Sequence, residues 1–524
     1  MIQLRMLFRS ASIISMLTIP LVAQAAGVQA DQSYNSALEA RRVVERAIAA
    51  MGGPAALDSV HDISRILTGE RIDIGQALRP GPPYTREPVS VKNTIELKSG
   101  RMVDELTHGV LGAGTSHTVL IVRDRNDSYF VTRSGRGTAV PTLTSFGRPI
   151  PVPYRYPELL LPLVLGRISN ARFLGQQSGA GRNYNVVSFA DPNGTMFTLL
   201  FDERTGLLSN FYWLLDEPTY SIAGELPREL TYSDYHQVHG LTTPFHYTVR
   251  YGGELLEDLQ VTDFKINTNP ADAFFDPPTD PPQGLSQSLA YSPQGVPLRG
   301  GLGANVNKLG DDVYWVRAPY NSFFMVFSDY VLVVEAPLND FLSQQTIAAI
   351  KKTAPGKPIR YLVVTHAHHD HIGGVRGFVA EGATIVTAPG VKSEIERLVA
   401  EPHSLDPDTL SLHPAPLKIE TFADRRVFSD TIHRVALYNI GPNPHADDLV
   451  VAYIPSVKTL YEADALDLQS ANVVSAAPTT IDLMHKIQAF GLDVQTIIPT
   501  HGRSGTIDDL KTAVSLAAGD AAGK

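Results

Sequence analysis

The 524-residue chain contains no cysteine. That excludes disulfide bonds and any thiolate nucleophile, so the fold relies on its core and on whatever metals it binds. It also has no Lys/Arg-rich block. With 54 acidic against 44 basic residues, a formal net charge of -10 and a pI near 5.9, it lacks the electrostatic footprint of a nucleic-acid binder. No internal repeat is visible. The apolar run from Ala11 to Ala23 is too short to span a bilayer comfortably. What remains is 43% hydrophobic and 19% charged, a globular chain long enough for two or three domains.

Arg5 and Arg9 precede that apolar run, and Ala23-Gln24-Ala25 closes it with small residues. This reads as a secretory signal peptide over residues 1–25, and hence a periplasmic or secreted protein, with an uncleaved N-terminal anchor as the alternative. Further on, Ser36 is placed to cap a helix whose apolar residues Ala40, Val43, Val44, Ala47, Ile48 and Met51 recur at helical spacing before Gly52-Gly53. Strand patterns then dominate. Asn193-Gly194 separates Tyr184 to Ala190 from Thr195 to Phe201, a hairpin signal, and Phe245, Tyr247, Val249 and Tyr251 alternate as in a half-buried strand. This helix and meander over residues 31–277 are similar to the open half-barrel domains of periplasmic lipoprotein carriers, which implies an apolar or acyl ligand; a domain that only packs against its neighbour is the alternative. Residues 278–302 are rich in Pro and Gly and read as a linker.

Chemistry is concentrated beyond residue 303. The apolar run Tyr361 to Val364 ends like a buried strand and runs into Thr365, His366, Ala367, His368, His369, Asp370, His371, Ile372, Gly373, Gly374. A tight loop there turns alternate imidazoles inward, so His366 and His368 can grip one divalent ion while Asp370 and His371 face a neighbouring site. The glycine pair lets the next helix start close to the metals.

This string resembles the signature of the metallo-β-lactamase superfamily, and the resemblance extends over roughly residues 303–515. Gly441-Pro442-Asn443-Pro444-His445 matches the family's third His. Tyr461-Glu462-Ala463-Asp464 matches the bridging carboxylate, with Ala463 where Gly is usual. Pro499-Thr500-His501-Gly502 matches the last His. The resemblance implies a four-layer αββα sandwich of the α/β class over residues 303–524, preceded by a mainly antiparallel α+β domain. It implies that His366, His368 and His445 hold one ion, that Asp370, His371 and His501 hold the other, and that Asp464 bridges them. Two zinc ions are expected, with iron or manganese as alternatives, and Asp370 is assigned the proton shuttle. Glu335 stands where relatives often have Asp.

Several nearby residues carry blander readings. His369 is expected on an exposed loop. Asp447 and Asp448 are expected either to orient ligand imidazoles or to begin a solvated strand. His433 and His485 are read as structural. The Pro-rich stretch Glu401 to Pro416, with His403 and His413, is expected to border a substrate groove. An Asp rather than Cys at 464 points toward esterase, lactonase and thioesterase branches, and the residues after it, Ala465, Leu466 and Asp467, lack the Tyr of many lactonases. The reading is an exported hydrolase of a small-molecule carboxylic ester or lactone. Hydrolysis of a β-lactam, a mono-iron persulfide-type dioxygenase and a non-catalytic binder of an apolar ligand remain as alternatives. The oligomeric state is not legible.

Overall fold

A computed structural model describes residues 21–72, 74–110, 115–123, 129–133, 139–141, 155–191, 194–216, 224–275, 305–318, 320–469 and 472–522. The expected linker at 278–302 and residues 1–20 of the expected signal peptide lie outside the described residues. Helix α1 spans Leu21–Ala50. Its alanine-rich first half favours helix, so nothing interrupts it before Ser36. That residue is therefore no cap: it lies inside α1 and donates its hydroxyl to the Phe173 carbonyl oxygen at 2.8 Å. The C-terminal end follows the expected stripe, with Ala40, Val44, Ala47, Ile48 and Met51 buried. Gly52 ends the helix by taking φ 113°, a conformation that side chains resist. Helix α2 (Gly53–Asp58) follows.

The N-terminal part is built on thirteen strands: β1 (Asp62–Arg71), β2 (Glu87–Glu96), β3 (Met102–Val110), β4 (Thr115–Arg123), β5 (Tyr129–Arg133), β6 (Ala139–Pro141), β7 (Ala171–Gly179), β8 (Arg182–Ala190), β9 (Met196–Asp202), β10 (Leu208–Asp216), β11 (Glu225–Val238), β12 (Leu241–Tyr251) and β13 (Glu254–Ile266). They form one sheet in the order β6-β5-β4-β3-β2-β1-β13-β12-β11-β10-β9-β8-β7. Its pairings are antiparallel. The predicted hairpin is β8–β9, with Ala190 opposite Met196. Helix α1 and helix α3 (Pro157–Gly166) share one core with the sheet, where Val44, Ile48, Leu160 and Leu161 meet Val187, Phe189, Leu199 and Phe211. The chain's path out of β13 is tied to the start of β1. Buried Asp62 accepts from Thr268 N (2.8 Å), Thr268 Oγ1 (2.6 Å) and Asn269 N (2.9 Å).

Beyond residue 304 two further sheets appear. The first is seven-stranded, in the order β14 (Asn305–Gly310), β15 (Val313–Arg317), β16 (Ser322–Val326), β17 (Val331–Val334), β18 (Ile359–Val363), β19 (Thr384–Thr387), β20 (Lys418–Thr421). The second is six-stranded, in the order β21 (Arg425–Ser429), β22 (Arg434–Asn439), β23 (Val450–Ile454), β24 (Thr459–Glu462), β25 (Thr496–Pro499), β26 (Gly505–Thr506). Strands β16, β17, β23 and β24 are buried at every position, as strands covered on both faces must be. Phe323, Met325, Leu332 and Val363 of one sheet meet Val435, Leu437, Ala452 and Tyr461 of the other. Outside the first sheet lie helices α4 (Asp340–Thr353), α5 (His369–Ile372), α6 (Val375–Ala380), α7 (Lys392–Ala400) and α8 (Thr409–Leu412). Outside the second lie α9 (Pro478–Ala489) and α10 (Ile507–Ala522). The layers are αββα.

Leu226, Tyr251 and Leu256 of the N-terminal sheet join the apolar cluster of Phe378, Val379 and Leu398. Replacing the inter-sheet Phe323, which is 0% exposed, by Ala is expected to destabilise the protein by about 3–5 kcal/mol. The check is chemical denaturation, read as a lower midpoint at unchanged slope.

Candidate metal centre

The two sheets deliver the candidate residues from the ends of their strands. Pairs β17–β18 and β24–β25 are parallel, so their C-terminal ends open on one side, where side chains converge in such sheets. Thr365 and His366 follow β18, Asp464 follows β24, and His501 follows β25. His445 sits between β22 and β23, its backbone N–H held by Asn443 Oδ1 at 2.9 Å. Asn321 fastens the His501 loop by donating to the carbonyl oxygens of Pro499 (2.8 Å) and Gly502 (3.0 Å). The glycine pair lets the chain pack closely against Leu338 and helix α4. A Cβ on Gly373 would lie 1.9 Å from the Leu338 carbonyl oxygen, and one on Gly374 would lie 1.8 Å from Ser343 Oγ. Asp464 takes φ 59° and Glu335 φ 86°, left-handed backbone that is costly for residues with side chains and gathers at functional sites.

All seven predicted ligands come together in two sets that share Asp464. In the first, His366, His368, His445 and Asp464 present one donor atom each within 4.8 Å of one another. His445 Nε2 is 3.2 Å from His366 Nε2 and 3.1 Å from Asp464 Oδ2. In the second, Asp370, His371, His501 and Asp464 do the same. His371 Nε2 lies 2.9 Å from Asp464 Oδ2, and His501 Nε2 lies 3.1 Å from both Asp370 Oδ2 and Asp464 Oδ1. Ring nitrogens aimed at one another with carboxylate oxygens between them suit divalent cations bound by N and O donors. One atom makes the fit specific: His368 Nδ1 is buried without a hydrogen-bond partner, while its Nε2 lies 3.1 Å from the Ala77 carbonyl oxygen.

The protein groups alone are electrostatically divided. Burial, and then the imidazoles of His371, His368 and His445, hold His366 well below its ordinary pKa; burial and His445 do the same to His368. Neutral imidazole is the ligating form. For His501, burial favours the neutral ring, but the Asp464 and Asp370 carboxylates overcome it and push the pKa up to about 10. Against the same burial effect, Asp464, Asp370 and Glu335 raise His371 well above its usual value. The second set thus holds protons where its carboxylates call for positive charge, and a cation would displace them.

Behind these donors, buried Glu335 accepts through Oε2 from Thr365 Oγ1 (3.0 Å), His371 Nδ1 (3.0 Å) and Thr500 Oγ1 (2.9 Å). Thr365 Oγ1 also sits 3.1 Å from His366 Nδ1. The sequence marks Glu335 as standing where relatives often have Asp, with a different contact behind the ligands expected there.

Other expectations are corrected. His369 is not an exposed loop residue: it is 4% exposed, with Nδ1 3.1 Å from the Gly75 carbonyl oxygen. Asp447 and Asp448 hydrogen-bond no ligand imidazole. Asp448 accepts from Gly390 N (2.8 Å) and Asn439 Nδ2 (2.7 Å), and Asp447 pairs with Arg79 (3.1 Å). The stretch Glu401 to Pro416 meets the N-terminal sheet, with Glu225 accepting from Leu405 N at 2.7 Å. His433 is structural, its Nε2 3.1 Å from Asp312 Oδ2. His485 and His413 are exposed, and His403 is buried.

An αββα sandwich with a His/Asp cluster at its strand ends defines a class of metalloproteins. A family model described as the metallo-beta-lactamase superfamily matches residues 318–501. The alkyl/aryl-sulfatase BDS1 of Saccharomyces cerevisiae is 30% identical over 76 residues, 14% of this chain and 12% of the yeast protein; the match thus spans about an eighth of that relative. Similar solved structures include the DIM-1 metallo-beta-lactamase, 17% identical with a TM-score of 0.33, covering 41% of this chain and 97% of that one. The FIM-1 metallo-beta-lactamase from Pseudomonas aeruginosa in its mono-zinc form is 19% identical with a TM-score of 0.32, covering 41% and 95%. The inverting sec-alkylsulfatase Pisa1 from Pseudomonas sp. is 16% identical with a TM-score of 0.31, covering 40% of each chain. The C-terminal domain of this chain belongs to the metallo-β-lactamase superfamily.

Glu335→Gln removes the charge behind His371 while keeping its shape. Zinc at the Asp370, His371, His501 set is expected to bind roughly 10–100-fold more weakly, measured by competition with a chromophoric chelator; unchanged affinity would contradict the role given to Glu335.

Proposed function

We propose that the chain is a metal-dependent hydrolase of carboxylic esters or lactones. The observation that carries this reading is the convergence of seven side chains, from loops as far apart as residues 366 and 501, on two donor sets with a common carboxylate. Zinc is the metal proposed, two ions per chain. When bound, such ions supply Lewis-acid polarisation of the scissile carbonyl and a water made acidic enough to attack near neutral pH.

The chain's own residues do the rest. Asp464 and the five imidazoles fix the donor geometry. Asp370 presents Oδ2 to the second set and is the group placed to take a proton from the attacking water and return it to the leaving oxygen, so that ester and water become acid and alcohol. Its carboxyl is held well below the usual carboxylate range. Burial opposes that shift, but His371 and His501 outweigh it, so the residue is charged.

Sulfate-ester hydrolysis is a second reading, favoured by the stretch shared with the yeast alkyl/aryl-sulfatase. Export is also proposed, on Arg5, Arg9, the apolar run and Ala23-Gln24-Ala25.

One preparation tests these points: metal quantitation with a panel of carboxylic ester, lactone, thioester, β-lactam, sulfate ester and persulfide substrates, on wild type and Asp370→Ala. About two zinc per chain and turnover of an ester or lactone are expected. The variant should lose about 10²–10⁴-fold in kcat with folding retained. One iron per chain with persulfide oxidation, or unchanged turnover in the variant, would overturn the reading. Protein released from cells by osmotic shock should begin at Ala26 by mass; an intact residue 1 would remove the cleavage.

A further inference from the structure

Four successive residues of the N-terminal domain, in the loop between β1 and β2, lie against the metal-binding loops. Gly75 packs on His369 so closely that a Cβ there would be 2.7 Å from His369 Nδ1. Gln76 donates through Nε2 to Asp370 Oδ1 at 2.7 Å. The carbonyl oxygen of Ala77 lies 3.1 Å from His368 Nε2, and that of Leu78 accepts from Asp447 N at 2.8 Å. Each partner belongs to a loop that carries a ligand. The same segment walls a cavity of about 230 Å³ beside His368, lined by Ala77, Leu78, Pro80 and Val391. That is below the roughly 300–1,000 Å³ usual for small-molecule pockets.

We propose that Gln76 is a positioning residue for the metal centre, supplied by the N-terminal domain, and that the segment carrying it completes the second cation set. The geometry is specific to one oxygen. Asp370 Oδ2 faces His371 (3.4 Å) and His501 (3.1 Å), so rotation of the carboxylate about its last bond would carry that oxygen away from the set. The Gln76 amide, on the opposite oxygen, fixes that rotation. His368 is fixed in the same way: with Nε2 held by the Ala77 carbonyl, the unpartnered Nδ1 is left to face its set. A side-chain amide behind one ligand and a backbone carbonyl behind another are what outer partners of metal ligands supply. Here they come from about 290 residues upstream. The first domain therefore does more than pack: it sets the orientation of two ligands.

This inference rests on the metal-site reading above, and its test reads metal binding instead of turnover. Full-length protein, stripped of metal, is titrated with cobalt(II) and followed by its d–d absorption. Wild type, Gln76→Ala and the near-isosteric Gln76→Glu are compared, each with its melting temperature. Gln76→Glu keeps the packing but faces Asp370 with an acceptor. In both variants the second cobalt is expected to bind about tenfold or more weakly with an altered band, while the first cobalt and the melting temperature stay as in wild type. Wild-type titration in both variants would overturn the proposal. So would equal weakening of both cobalt sites together with a lower melting temperature, which would make the segment merely structural. If wild type itself takes up no second cobalt, the two-metal reading fails and this inference falls with it, an outcome distinct from the other two.

Discussion

The centre depends on the Asp464 carboxylate. Its Oδ2 lies within 2.9 Å of His371, 3.1 Å of His445 and 3.6 Å of His366, and its Oδ1 within 3.1 Å of His501. A carboxylate this enclosed is costly unless it is surrounded by compensating charge. The protein meets the demand with imidazoles drawn from three other loops, and Glu335 adds a second buried carboxylate behind His371. Charge of this density has a purpose when cations occupy the gaps between donors, because a cation in the second set replaces the protons that His371 and His501 would otherwise hold.

The fold makes that arrangement reachable. Fully buried β17 and β24 cannot shift without opening the core between the sheets, so the left-handed turns at Glu335 and Asp464 stay where packing puts them. Apolar burial over the whole sandwich thus outweighs local backbone strain at the two positions where chemistry needs it. Asn321 and Thr500 extend the rigidity to His501, since Tyr461 Oη donates to the Asn321 carbonyl oxygen at 2.6 Å and lies 2.9 Å from Thr500 Oγ1.

The residues of the two donor sets were legible in the sequence because each sits in a short local pattern: a strand end, then His or Asp at fixed spacing. The sandwich was legible for a related reason, since β17 and β23 are continuous apolar runs and β16 is one after Ser322. Strand β20 (Lys418–Thr421) was not, being largely exposed with no buried alternation to read. The start of α1 was misread because Ser36 has the chemistry of a cap but an alanine-rich stretch in front of it. Nor could the Gly75–Leu78 segment be found. Its contacts at Gly75, Ala77 and Leu78 use backbone carbonyls that any sequence supplies, and nothing local pairs Gln76 with a residue as distant as Asp370. His369 was misplaced for the same reason, because the surface that buries it comes from the other domain.

The central claim is that two cations sit on either side of Asp464. Anomalous diffraction at the zinc edge, on crystals of the full chain grown with zinc, tests it most directly. The account predicts two peaks about 3.5–4 Å apart, one among His366, His368 and His445 and the other among Asp370, His371 and His501. A single peak away from Asp464, or none at either set, would contradict it.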